Sequence, residues 1–311
     1  MQPRVELPTQ NRALHGFAVF MVGCTFLLII AGALVTGNEA GLAVPDWPLS
    51  YGSLMPPMIG GIFYEHGHRM VASFVGLMTI VLAIWVWKRD DRPFVRRLGW
   101  IALAVVVTQG ILGGITVLFF LPAPISVLHA CLAQAFLCIV GSLALLTSHN
   151  WRHGPRHAAN DLKGVSMRRL SVCATACVYG QLILGAALRH AKAGLFWHVL
   201  GAFVVALLVT WTVARVYKYY AHLSSLFRPA IVLGILMAAQ LSLGVGSYLV
   251  RLASREDVQP GVAMVAVTTA HVATGAAVLV ACLLLTLQCR RWLAPAETQL
   301  QLTSVPQGAT S

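Results

Sequence analysis

Apolar residues run along this chain in long blocks, without the one-sided stripe of a surface helix or the alternation of a half-buried strand. Eight blocks stand out, near 14–36, 62–87, 98–120, 125–147, 170–188, 196–217, 230–250 and 263–288. Each is about the 20 residues that an α-helix needs to cross roughly 30 Å of hydrocarbon at 1.5 Å per residue. The polar stretches between them are too short to fold as separate soluble domains. The pattern predicts an all-α membrane protein of about eight transmembrane helices. Composition agrees: 58% of the 311 residues are hydrophobic and 10% charged, with mean hydropathy +0.77, where a soluble domain carries about 25% charged residues. The first block follows a short polar leader without a small-residue cleavage site, and is expected to be a retained helix.

A net charge of +12 raises the question of nucleic acid, and its distribution answers it. Lys88, Arg89, Arg92, Arg96 and Arg97 lie between spans two and three. Arg152, Arg156, Lys163, Arg168 and Arg169 lie between four and five. Arg215, Lys218 and Arg228 follow span six, Arg290 and Arg291 follow span eight, and Arg4 and Arg12 precede span one. These alternate loops hold 17 of the 22 basic residues. That is the positive-inside asymmetry, and it predicts both termini in the cytoplasm or its organellar equivalent, with a bacterial inner membrane the expected location, lipid as the partner and no nucleic acid. The seven cysteines all fall within or at the ends of spans, so no disulfide is expected in the outward loops.

The chain repeats itself. Gly32-Ala33-Leu34 leads to Ala40-Gly41-Leu42 in the first span, as Gly185-Ala186-Ala187 leads to Ala193-Gly194-Leu195 in the fifth. Gln109 to Gly114 in span three echoes Gln240 to Gly246 in span seven. The histidines fall in register too, His68 with His198 and His129 with His271. A four-helix unit duplicated in tandem would give two pseudo-symmetric four-helix bundles of like orientation. The expected organisation is residues 1–148, a cytoplasmic linker at 149–169, residues 170–292, and a flexible tail at 293–311. Residues 37–61 form a long outward loop whose four prolines exclude a regular helix, and whose Trp47 and Tyr51 suit a cap at the membrane interface.

Four of the eleven histidines define the candidate chemistry. His68, His129, His198 and His271 occur one per helix on even-numbered spans, each within the first turns. An ionisable side chain in a span is costly and marks a functional site by default. A lone one more often bridges helices, but four at matching depth ask for another reason. Imidazole is an axial ligand of heme iron, and a four-helix bundle holds a cofactor with ligands from facing helices. Small residues beside each histidine, such as Ala72, Ala133, Gly201 and Gly275, leave room for a macrocycle, although they also serve close helix packing. A different metal, or no cofactor, are the competing readings.

The first half alone contains Glu65-His66-Gly67-His68-Arg69. Glu65 lies three residues before His68 on one helix face, placed for proton or water chemistry. Leu195 occupies the matching place before His198. The difference predicts a reacting first half and an electron-transferring second half. The structural alternative pairs Glu65 with Arg69 at i+4. Arg69, Arg189 and Arg251 suit either heme propionates or interfacial anchoring.

The run Asn38 to Pro48, followed by Glu65-His66-Gly67-His68-Arg69-Met70 and the three further helix histidines, resembles the heme A synthase family over essentially the whole chain. The resemblance implies an oxidoreductase acting on a CH group, which oxidises the C8 methyl of heme O to a formyl for terminal oxidase biogenesis. It implies substrate heme on His68 and His129, a heme b cofactor on His198 and His271, and an essential Glu65. Heme O synthase (a farnesyltransferase), terminal oxidase assembly factors and a second copy of the chain are the partners it suggests. Some members carry a cysteine pair in the first outer loop; here Ser50 and its neighbours offer no thiol. A diheme electron carrier like cytochrome b and a non-enzymatic heme-handling or transport protein are the alternatives.

Overall fold

The computed structural model describes residues 12–154, 156–157, 159–161, 165–192, 194–255 and 258–295. Its long helices are α1 (Arg12–Gly37), α2 (Gly60–Arg89), α3 (Pro93–Leu118) and α4 (Ala123–Thr147), then, after the short α5 (His149–His153), α6 (Met167–His190), α7 (Leu195–Tyr220), α8 (Ser224–Ala253) and α9 (Val262–Trp292). Eight of these are long and apolar enough to cross a bilayer, and the protein is an integral membrane protein. Large apolar side chains such as Phe20, Leu27, Phe203, Leu207 and Ile235 lie exposed along them, which water would penalise and lipid does not. Each of these eight overlaps one expected span, and α5 falls within the segment expected as the linker. α3 begins five residues before the expected 98, because Pro93 is pre-set for a first helical turn. α8 begins six before 230 and runs through Pro229, which this close to the helix start removes only one backbone bond.

The chain divides into two compact units, Met1–Gly154 with Leu243–Ala276, and Pro155–Ser242 with Ala277–Ser311. In the first, α1 packs on α2 and α4, and α3 on α2 and α4. One apolar core fills one end of that bundle: Leu14, Ala18 and Met21 of α1, Val75, Leu82 and Val86 of α2, Val95 and Ala102 of α3, Phe136, Val140 and Leu143 of α4. The Nδ1 of His15 and the carbonyl of Ala144 meet there at 3.0 Å. At the same end Arg92 bonds the Asp90 carboxylate at 2.7 Å and the Leu146 carbonyl at 2.8 Å, closing the basic α2–α3 turn onto α4. The interior at the opposite end is where His68 and His129 lie.

In the second unit α6 packs on α7. Thr175 and Thr286 hydroxyls meet at 2.8 Å, and Thr286 donates to the Ser171 carbonyl, joining α6 to the end of α9. The linker is partly regular: β1 (Ala159–Asn160) pairs in parallel with β2 (Leu293–Ala294), Ala159 opposite Leu293. Leu293 and Ala294 belong to the segment expected as a flexible tail, and Leu293 is fully buried; residues 296–311 of that segment lie outside the described residues. Asp161 follows β1 and accepts the Met167 and Arg168 amides, so that its carboxylate caps the start of α6.

Candidate heme site

His68 is on α2, His129 on α4, His198 on α7 and His271 on α9, each in the first three turns of its helix. All four rings rest on a glycine of the preceding helix. A β-carbon added at Gly32 of α1 would come 3.1 Å from Cε1 of His68, and one at Gly113 of α3 3.5 Å from that of His129. Gly185 of α6 and Gly244 of α8 give 3.1 Å and 3.2 Å for His198 and His271. Any larger residue at Gly32, Gly185 or Gly244 would push on the imidazole, so the glycines set where the rings stand. In the first unit the Leu28 carbonyl, one turn before Gly32, faces the His68 ring, and the Gln109 carbonyl, one turn before Gly113, faces His129. Neither reaches a full hydrogen bond with the buried Nδ1. A carbonyl beside Nδ1 favours the proton there and leaves the Nε2 lone pair for a metal. In the second unit the Gln181 amide, one turn before Gly185, takes this place: its Nε2 donates to the His198 carbonyl at 2.7 Å and stands 3.1 Å from His198 Nδ1.

Among the described residues, no three His, Cys, Asp or Glu side chains come together to hold a metal ion. The donors present are imidazoles, each seated on its own helix, and this donor set fits heme iron, which takes one axial ligand per face. The first unit contains His68, His129 and His271 and the second His198; His68 and His129 lie within electrostatic reach of one another.

Beside His68 the 37–59 loop folds back as a cap. Glu65 is 4% exposed. One carboxylate oxygen accepts the Val44 amide at 2.7 Å, and the other accepts Arg69 at 2.6 Å. Arg69 donates further to the carbonyls of Asp46 at 2.7 Å, Leu49 at 2.9 Å and Val44 at 3.2 Å. The i+4 pairing is therefore present, and it is one part of a larger arrangement: the guanidinium ties the loop to α2, its two terminal nitrogens bonding three cap carbonyls and Glu65. The Ser50 hydroxyl and His66 Nδ1, both buried, meet at 2.8 Å. Asp46 accepts the Tyr51 and Gly52 amides, and the Tyr51 hydroxyl donates to the Ala43 carbonyl. The Gly52 amide, with that of Tyr51, holds the Asp46 carboxyl below the usual carboxylate range.

Trp47 anchors the cap on α3. A β-carbon at Gly114 would stand 2.8 Å from its indole. Gly114→Ala is therefore expected to lift the cap at a cost of about 1–3 kcal/mol. Limited proteolysis should then cut within 45–58 at a protease dose that leaves the parent protein whole; equal resistance would count against the Trp47 anchor.

Reading the sequence located the histidines and Glu65 but missed the glycine seats. Their signal was in view as the spacing Gln109/Gly113 and Gln240/Gly244, which recurs at Gln181/Gly185. The part played by Arg69 in organising the loop has no comparable trace, since an arginine one turn from a glutamate reads equally as a surface pair.

Eight apolar helices, four of them carrying a seated imidazole, define a polytopic membrane protein built around helix-borne histidines. Residues 60–197 match the cytochrome oxidase assembly protein family COX15-CtaA, a stretch holding Glu65, His68 and His129. The chain is similar to the heme A synthase of Halalkalibacterium halodurans, 29% identical over 272 residues, 77% of this chain and 88% of that protein. It is similar to the heme A synthase of Symbiobacterium thermophilum, 28% identical over 278 residues and 85% of each chain. Against the heme A synthase of Caulobacter vibrioides it is 33% identical over 164 residues, 48% of this chain and 45% of that one. The chain is thus similar to proteins named heme A synthase over most of its length.

Proposed function

We propose that this protein is a heme A synthase, an oxidoreductase that converts the C8 methyl of heme O into a formyl group and so supplies heme A to terminal oxidases. The observation that carries the reading is the glycine-seated histidine on four helices, joined in the first half by a Glu65 fixed one turn from His68. We assign the substrate heme to His68 and His129 and a resident heme b to His198 and His271, in a fold of two duplicated four-helix halves. The repeated seat, Gly32 and Gly185 for one helix pair and Gly113 and Gly244 for the other, supports duplication more closely than composition does. The distribution of basic residues supports both termini on the cytoplasmic side, and the bacterial relatives named heme A synthase support a bacterial cell membrane.

When bound, heme b supplies one-electron redox chemistry. The protein's own contributions are positional. The seats of His198 and His271 hold two ligands at fixed depth, and those of His68 and His129 do the same for the substrate. Glu65, locked by the Val44 amide and Arg69, keeps a carboxylate oriented at the substrate end while the cap limits access of water. Heme O synthase and oxidase assembly factors would be the donor and acceptor of the porphyrin.

The equivalence of the four seats also suits a carrier with two permanent hemes. Extraction of the bound pigments decides between the two. A synthase expressed with a source of heme O yields heme A or its alcohol precursor together with heme b, whereas a carrier yields only unmodified heme in both sites. Colourless protein under all conditions would remove both readings.

A further inference from the structure

A hydroxyl inside a membrane span usually has a ready partner, the carbonyl one turn back. Thr25, Thr79, Thr147, Thr212 and Thr286, all buried, each donate to the carbonyl four residues earlier at 2.7–2.9 Å. Ser126 does not. It is 5% exposed, in the first turn of α4, and its hydroxyl has no hydrogen-bond partner among the described residues. Two other enclosed hydroxyls share this state, Thr269 and Ser247. Thr269 is two residues before His271, on the side of α9 away from that ring, and Ser247 is on α8, which carries no histidine. Ser126 stands three residues before His129 and so shares that ligand's face of α4. Glu65 takes the same place before His68 on α2. Leu195 takes it before His198, and Thr268 before His271, with the Thr268 hydroxyl already donating to the Met264 carbonyl at 2.8 Å.

We propose that the Ser126 hydroxyl holds the oxygen of the half-oxidised substrate, the alcohol through which the methyl passes on its way to a formyl. The inference rests on the assignment of the substrate heme to His68 and His129, and adds a residue to that site. α1 and α3 each pack on both α2 and α4, which sets α2 and α4 across the bundle from one another, and their two histidines lie within electrostatic reach. Separated by a single helix, α2 and α4 run in the same direction. Glu65 and Ser126 therefore stand on the same side of their ligands, each about 4.5 Å along its helix. A porphyrin held between the two imidazoles would have Glu65 toward one face and Ser126 toward the other, at one edge. The proposed role of Glu65 puts the C8 methyl at that edge. A methyl group offers a hydroxyl nothing to bond, whereas the alcohol on the same carbon offers an oxygen that accepts. Each carboxylate oxygen of Glu65 already accepts a bond, from the Val44 amide or from Arg69, while the Ser126 donor is unused. Ser126 makes and breaks no covalent bond in this role. It donates to the oxygen already in place and retains the alcohol until that carbon is oxidised again.

The test uses the full-length protein carrying its resident heme, titrated separately with heme O and with the alcohol made from it, and followed by the change in the Soret band. Ser126→Ala should weaken the alcohol by about threefold to tenfold, the worth of one neutral hydrogen bond, and leave heme O within about twofold. Pigment extracted during turnover should contain a larger share of alcohol relative to heme A than in the parent. Removing a buried hydroxyl that has no partner takes no bond from the fold, so Ser126→Ala should unfold at the parent's temperature or above it. A Ser126→Ala protein that binds both porphyrins as the parent does, or that weakens both alike, would overturn the assignment. So would a lowered unfolding temperature with an unchanged ratio of the two affinities, which would make Ser126 a packing residue. Failure of the underlying site looks different: no added porphyrin binds to the parent, or binding of both is indifferent to His68→Ala.

Discussion

Glu65→Gln is expected to stop product formation, with a loss of about 10²–10⁴-fold, the range typical of removing a positioned acid or base. The exchange keeps the size of the side chain. Its remaining oxygen can still accept the Val44 amide that Glu65 now holds at 2.7 Å, and the substitution removes the charge opposite Arg69. Extracted pigment should shift toward heme O or a hydroxylated intermediate, while the optical signature of the resident heme is unchanged. Glu65→Ala should lose product and, in addition, structure. It leaves the mostly buried Arg69 without its carboxylate and the Val44 amide without an acceptor, at about 1–3 kcal/mol for a buried group left unpaired. The difference between the two variants separates chemistry from scaffolding. Turnover in Glu65→Gln within a few-fold of the parent, with thermal unfolding unchanged, would reduce Glu65 to a clamp for the cap.

That comparison is needed because Glu65 serves two structures at once, and only one was visible in the chain. The i, i+3 spacing to His68 is a property of one helix and is readable from sequence. The bond to Val44 joins residues 21 apart, and the Arg69 bonds to Asp46, Leu49 and Val44 span 20 to 25 positions. Contacts of that kind depend on how a proline-rich loop folds, and proline content says where a helix cannot be, not what replaces it. The helices were legible for the opposite reason. In hydrocarbon every backbone group must be satisfied within its own segment, so length and apolarity nearly determine the element, and errors were confined to ends such as those of α3 and α8. The β1–β2 pair, joining residues 159–160 to 293–294, lay beyond sequence reading because two-residue strands carry no periodicity. The glycine seats fall between these cases. Their Gln-x-x-x-Gly spacing was present in α3, α6 and α8, but α1 has Leu28 before Gly32, and only the approach of each ring to its glycine shows what the four positions have in common.

Replacement of the histidines one at a time should divide them into two pairs. Under the proposed assignment, His198→Ala and His271→Ala would each take away one of the two residues that hold heme b, and should lower its occupancy and alter its spectrum. His68→Ala and His129→Ala keep that spectrum and lose retention of heme O together with its conversion. The glycine seats predict a graded version of the same result. Gly185→Ala brings a methyl to 3.1 Å from the His198 ring and Gly32→Ala one to 3.1 Å from His68, tighter than an imidazole tolerates without moving. A displaced ligand weakens binding without abolishing it, by about 10–100-fold as for other groups that orient metal ligands. Gly185→Ala should therefore lower occupancy and alter the spectrum of the resident heme alone, and Gly32→Ala should lower affinity for added heme O alone. Were all four histidine variants to lose one and the same heme, or each to lose half of both, the division into a substrate half and a cofactor half would fail even though heme was bound. The pairing of the losses, more than their size, is what tests it, since a ligand set shared between halves and a ligand set divided between them predict the same total heme in the parent protein.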